Sequence, residues 1–138
     1  MSRFLFKTEP GDYSFEDLVK ERSTRWEGVT NTTALKHLRT AKEGDEVLIY
    51  HTGDERQVVG AGKIMRAPYP DPSKKDRKLV VVDVMVGARL PKPVKLEEIK
   101  GCATLKNFDL VRLPRLSVMP VSDAQWQEIL RLGGAVRR

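Results

Sequence analysis

The side chains able to do chemistry are few and scattered. The 138-residue chain has two histidines, His37 and His51, and one cysteine, Cys102. Far apart in sequence, these three do not have the spacing of a metal site, so no metal is expected. A lone cysteine excludes an internal disulfide and a cysteine-rich zinc site. Its neighbours Lys100, Gly101 and Ala103 supply no base, so Cys102 reads as structural. There is no GxSxG elbow, phosphate-binding loop or GxGxxG segment, and no cofactor is expected. Gly60-Ala61-Gly62 lies inside a strand pattern and reads as a bend. His51 ends an apolar run beside Tyr50, either facing a ligand or sitting half-exposed at a strand end. Glu9 and Asp12 follow the first strand, as an acid/base pair or as solvated loop carboxylates. An enzyme acting on a nucleotide or another small molecule would draw on His51, Glu9 and Lys7.

Binding chemistry has more material. Trp26 lies between Arg25 and Glu27 and offers a flat face and one N–H donor. It either stacks on a base or packs beneath its own loop. Asn31 either caps a helix or reads a base edge. Thr8, Tyr50 and Ser117 fall on predicted strands. The formal net charge is +6, which favours partners bearing phosphates. Those basic groups are expected around the mouth of the pocket, because phosphates must lie outside a base-sized cavity.

The elements that must position these groups form one domain spanning 1–138. Apolar residues make up 40% of the chain, enough for one core. Arg3 to Thr8 reads as a strand, and Ser14 caps a helix with Asp17 three residues on. Ser23 to Thr30 reads as a loop holding Trp26 and Gly28. Asn31 or Thr32 caps a second helix running to about Thr40. Strands follow at Glu46–His51, Gln57–Ala67 and Lys78–Leu90, where Pro91 and Pro93 break the chain. Leu96–Lys100 reads as a short helix, Leu105–Leu113 as an irregular helical stretch and Leu116–Val121 as a last strand. Ser122 caps a final helix that buries Trp126, Ile129 and Leu130, and Gly133-Gly134 stops it. This order lacks the alternation of a doubly wound sheet and predicts a small, curved, mixed α+β fold. No stretch reaches the roughly 20 apolar residues of a membrane span. The expected setting is the cytoplasm, with the nucleoid or nucleus as alternatives, and the expected state is a monomer without membrane attachment.

The segments FLFKTEPGDYSFEDL, TRWEGVTN, LIYHTG, VVGAGKIMRAPYPDP, VVDVMVGARLPKPVKLEEIK and LVRLPRLSVMPVSDAQWQEIL fall in one order along nearly the whole chain. In that order they resemble an EVE domain. The resemblance implies a PUA-like fold, a small curved mixed β-barrel of five to six strands with flanking helices, related to YTH and ASCH domains. It also implies a nucleic-acid-binding module that reads a modified or flipped-out base in DNA or RNA through an aromatic-lined pocket. The pocket it implies is lined by Lys7, Thr8, Glu9, Trp26, Gly28, Val29, Asn31, Tyr50, His51 and Ser117. Where the family usually has Val-Arg-Asn-Tyr-Gln-Ala, this chain has Val29-Thr30-Asn31-Thr32-Thr33-Ala34, without the arginine and the aromatic at the pocket rim. A third reading is a peptide- or protein-interaction domain that uses the same pocket.

Overall fold

The computed structural model describes residues 2–135. Six strands form one sheet in the order β2-β5-β4-β3-β1-β6. They are β1 (Arg3–Thr8), β2 (Ser23–Trp26), β3 (Glu46–His51), β4 (Gln57–Pro70), β5 (Val80–Lys95) and β6 (Val118–Pro120). The pairing β1–β3 is parallel and the other four are antiparallel. The helices are α1 (Phe15–Glu21), α2 (Thr32–Leu38), α3 (Leu96–Lys100), α4 (Asp109–Arg112) and α5 (Asp123–Leu132). None of them is long and apolar enough to cross a membrane.

The central strands are buried on both faces. Phe4, Leu5 and Phe6 of β1 and Val47, Leu48, Ile49 and Tyr50 of β3 are all in the core. That double burial explains their near-continuous apolar runs. The helices begin where the caps predict. Ser14 accepts from the Asp17 N–H and Asp17 accepts from the Ser14 N–H. Ser122 and Gln125 make the same reciprocal pair at α5. Asn31, the cap of α2, accepts from the Ala34 N–H at 3.0 Å.

The last strand is shorter than expected, Val118–Pro120, so Leu116, Ser117 and Val121 lie outside it. Two larger expectations also fail, each for a clear reason. Ser23–Trp26 is a strand and not part of a loop. It pairs antiparallel with β5, Trp26 opposite Val82. Its four residues include one buried side chain, so periodicity could not reveal it. The second concerns Pro91 and Pro93, which do not end β5. Between Gly60↔Arg89 and Val58↔Val94, β5 advances five residues while β4 advances two. The prolines fall within this surplus, where no ladder bond is required of them. The Lys92 N–H between them donates to the Gly133 carbonyl oxygen instead.

The bend at Gly60 is real, since the β4 register shifts on both sides of it. A Cβ there would lie 2.5 Å from the Phe15 ring, so only glycine lets α1 cross the sheet this closely.

The sheet is curved but is not closed by hydrogen bonds. β2 forms one edge and β6, the neighbour of β1, forms the other. Curvature nevertheless brings Trp26 of β2 against Phe6 of β1, ring centroids 5.4 Å apart. Side-chain packing thus bridges the gap between these strands.

Candidate functional site

The seam between β1 and β2 holds a cleft of about 290 Å³. That lies near the lower end of the roughly 300–1,000 Å³ spanned by small-molecule sites. Lys7 and Thr8 line it from the end of β1, Asp12 and Tyr13 from the turn that follows, and Thr24, Arg25, Trp26 and Glu27 from β2. The turn is held by the Glu9 carbonyl oxygen, which accepts from the N–H groups of Asp12 and Tyr13. The Thr8 hydroxyl donates to the Tyr13 carbonyl oxygen at 2.7 Å.

Trp26 is only 7% exposed and belongs to the core as well as to the cleft wall. The expectation that it is a wall and not a core residue draws a division the fold does not make. Tyr13 stands edge-on to the indole, centroids 6.3 Å apart. The Tyr13 hydroxyl donates to Glu21. Burial, then that bond to a carboxylate, pushes its pKa up to about 12. Tyr13 therefore stays a neutral phenol at physiological pH. Arg25 and Glu27 reach solvent on either side of Trp26 and pair with each other at 3.1 Å.

Lys7 is half-buried. Its Nζ lies 5.7 Å from the centre of the Tyr50 ring and donates to the Pro114 carbonyl oxygen at 2.8 Å. Burial lowers its pKa. Burial likewise raises that of Tyr50, partly offset by Arg56. Beyond Lys7 lies a second, more open cleft of about 340 Å³, lined by Asn31, Thr33 and the Arg112–Leu116 segment.

The ten residues implied by the resemblance are not gathered at one point. Lys7, Thr8 and Trp26 line the first cleft and Asn31 the second. Gly28 turns the chain after β2 with φ +85°, and Val29 is buried beyond it. Tyr50 is buried beside Lys7, and the Ser117 carbonyl oxygen accepts from the Lys7 N–H at 2.9 Å. Glu9 is exposed and its carboxylate accepts from the Gly11 N–H at 2.8 Å. His51 lines a different cavity, among Phe15, Glu55 and Pro91. Its Nε2 accepts from the Phe15 N–H at 3.0 Å, which leaves Nδ1 to donate to Glu55 at 2.9 Å. Both ring nitrogens are engaged, and the ring fastens α1 to β3. His51, Glu9 and Lys7 do not converge on one acid/base centre.

Tyr13, Thr24, Arg25 and the Arg112–Arg115 segment line these clefts although nothing in their own segments marks them. Tyr13 and Thr24 face the cleft only because β2 folds back on β1. The expected ring of basic groups is also absent from the first cleft, where Lys7 and Arg25 are balanced by Asp12 and Glu27. The lining of the second cleft contains two arginines and no carboxylate.

The comparisons with known proteins agree with this architecture. Human thymocyte nuclear protein 1 is 30% identical over 165 residues, covering 95% of this chain and 73% of that protein. The solved structure of Rpa0253 from Rhodopseudomonas palustris superposes with a TM-score of 0.94 at 31% identity, covering 100% of this chain and 97% of that one. The human THYN1 protein in complex with DNA containing 5-methylcytosine superposes with a TM-score of 0.89 at 29% identity, covering 96% and 98%. An ASCH protein from Zymomonas mobilis shares the fold alone, with a TM-score of 0.57 at 12% identity over 94% of each chain. The fold is thus the PUA-like fold that ASCH domains share. The family model for the EVE domain matches residues 2–132, and the chain belongs to the EVE domain family.

Proposed function

We propose that this protein binds DNA carrying a modified base and takes that base, turned out of the helix, into the cleft between β1 and β2. The observation that carries this reading is the cleft wall. Trp26 and Tyr13 supply aromatic surface beside the hydroxyl groups of Thr8 and Thr24. A flat heterocycle with a polar edge needs this mixture of stacking surface and hydrogen-bonding groups. The relative solved in complex with DNA containing 5-methylcytosine makes a methylated cytosine the first ligand to test. Burying one methyl group contributes about 0.8 kcal/mol. Discrimination therefore rests mainly on cleft shape and on leaving polar groups unpaired when the wrong base enters.

The test is equilibrium binding to DNA and RNA oligonucleotides carrying 5-methylcytosine or other modified bases, with unmodified controls, at two salt concentrations. Tighter binding of a modified DNA than of its control supports the reading. Equal affinity for all of them, or preference for modified RNA, overturns it as stated.

A further inference from the structure

We propose that the second cleft, lined by Asn31, Thr33, Arg112 and Arg115, holds the sugar-phosphate backbone next to the base bound in the first cleft. This rests on the base-binding reading and adds to it where the charge of the nucleotide goes. The first cleft is poorly suited to a phosphate, because Asp12 and Glu27 offset Lys7 and Arg25. The second has two guanidinium groups and no carboxylate in its lining.

The donors in the second cleft are available. Arg115 is exposed and forms no ion pair among the described residues. Arg112 gives one Nη1 contact to Asp109 at 3.0 Å and keeps its remaining N–H groups. Asn31 spends its Oδ1 on the Ala34 N–H, which leaves its amino group as a donor. Thr33 adds an exposed hydroxyl. Leu113, 41% exposed, offers an apolar surface of the kind a sugar ring covers. The two clefts meet at Lys7, which lines the first and donates to Pro114 in the wall of the second. A base and its adjoining backbone can therefore occupy both at once, with Lys7 between them.

The experiment compares the full chain with Arg115→Gln and Arg112→Gln, with melting as a check that each exposed substitution leaves the fold intact. The probes are a DNA duplex with one 5-methylcytosine, the same duplex unmethylated, and the free nucleoside 5-methyl-2′-deoxycytidine. Each substitution is expected to weaken both duplexes to a similar extent. Each should also make the plot of log affinity against log salt shallower by about one. Nucleoside affinity should not change. Unchanged salt slopes in both variants overturn the proposal, as does a parallel loss of nucleoside binding. Equal displacement of the duplex by a poly-glutamate peptide would also overturn it, in favour of an acidic protein partner. If the duplexes bind without regard to methylation while the slopes still respond, the base-reading function fails and the backbone cleft stands. Absence of duplex binding even at low salt overturns both.

Discussion

The Lys7 ammonium donates to the Pro114 carbonyl oxygen at 2.8 Å, joining the end of β1 to the segment before β6. That bond stands between a cleft walled by Trp26 and Tyr13 and a cleft walled by Arg112 and Arg115. Lys7→Met keeps the length of the side chain and removes the charge. Duplex affinity is expected to fall, with a salt slope shallower by about one. Burial depresses the Lys7 pKa below 10.5, so the unfolded chain holds this proton more tightly. Stability from this group therefore rises with pH between the depressed value and 10.5. Chemical denaturation across alkaline pH should show that rise flattened in Lys7→Met.

Trp26 contacts both Phe6 and Tyr13, so truncation removes core packing along with the cleft wall. Trp26→Ala should cost about 3–5 kcal/mol of stability. The informative variant is Trp26→Phe, which keeps an aromatic face and loses the indole N–H and some area. It should stay folded and bind the modified oligonucleotide more weakly, by up to about 1–3 kcal/mol. Melting and titration of the same sample separate the two effects. Unchanged binding by folded Trp26→Phe would show that the ring serves packing alone.

His51 holds α1 to the sheet through its acceptance of the Phe15 N–H. His51→Ala leaves that buried donor without an acceptor, at a cost of about 1–3 kcal/mol. Oligonucleotide affinity in the folded fraction should match the wild type, because His51 lines neither the Trp26 cleft nor the Arg115 cleft. Urea denaturation measures the first effect. A selective loss of binding at full stability would return His51 to the ligand site.

The Tyr13 phenol, with its pKa pushed from 10.0 up to about 12, gives the opposite alkaline dependence to Lys7. A raised folded-state pKa means that its contribution is fully present below pH 10. It is lost as pH rises toward about 12, where the unfolded chain ionises first. Tyr13→Phe should remove this part of the alkaline loss. Absorbance titration of tyrosinate at 295 nm should show one fewer late-titrating phenol in the variant.

Where local rules were sufficient, the fold was legible in the sequence. β1 and β3 announce themselves by apolar runs, and α1 and α5 by Ser14 and Ser122 with their partners three residues on. β2 was hidden because Ser23, Thr24 and Arg25 carry no pattern, and its pairing with Asp83–Met85 joins segments some sixty residues apart. Pro91 and Pro93 concealed the end of β5 because a bulge excuses them from the ladder, and a bulge is a property of two strands together. The candidate site divides in the same way. The family resemblance marks Lys7, Thr8 and Trp26, whereas Tyr13 and Thr24 become neighbours of Trp26 only when the sheet curls. His51 lines a separate cavity because its two hydrogen-bond partners come from α1 and from the turn after β3.

The two sheet edges have a consequence for self-association. β2 is four residues long and β6 three, so neither offers a long unpaired row of N–H and C=O groups. Arg25 and Glu27 add charge beside one edge, and Pro120 removes a donor from the other. Edges this short, flanked by charge or interrupted by proline, are poor templates for adding strands from another copy.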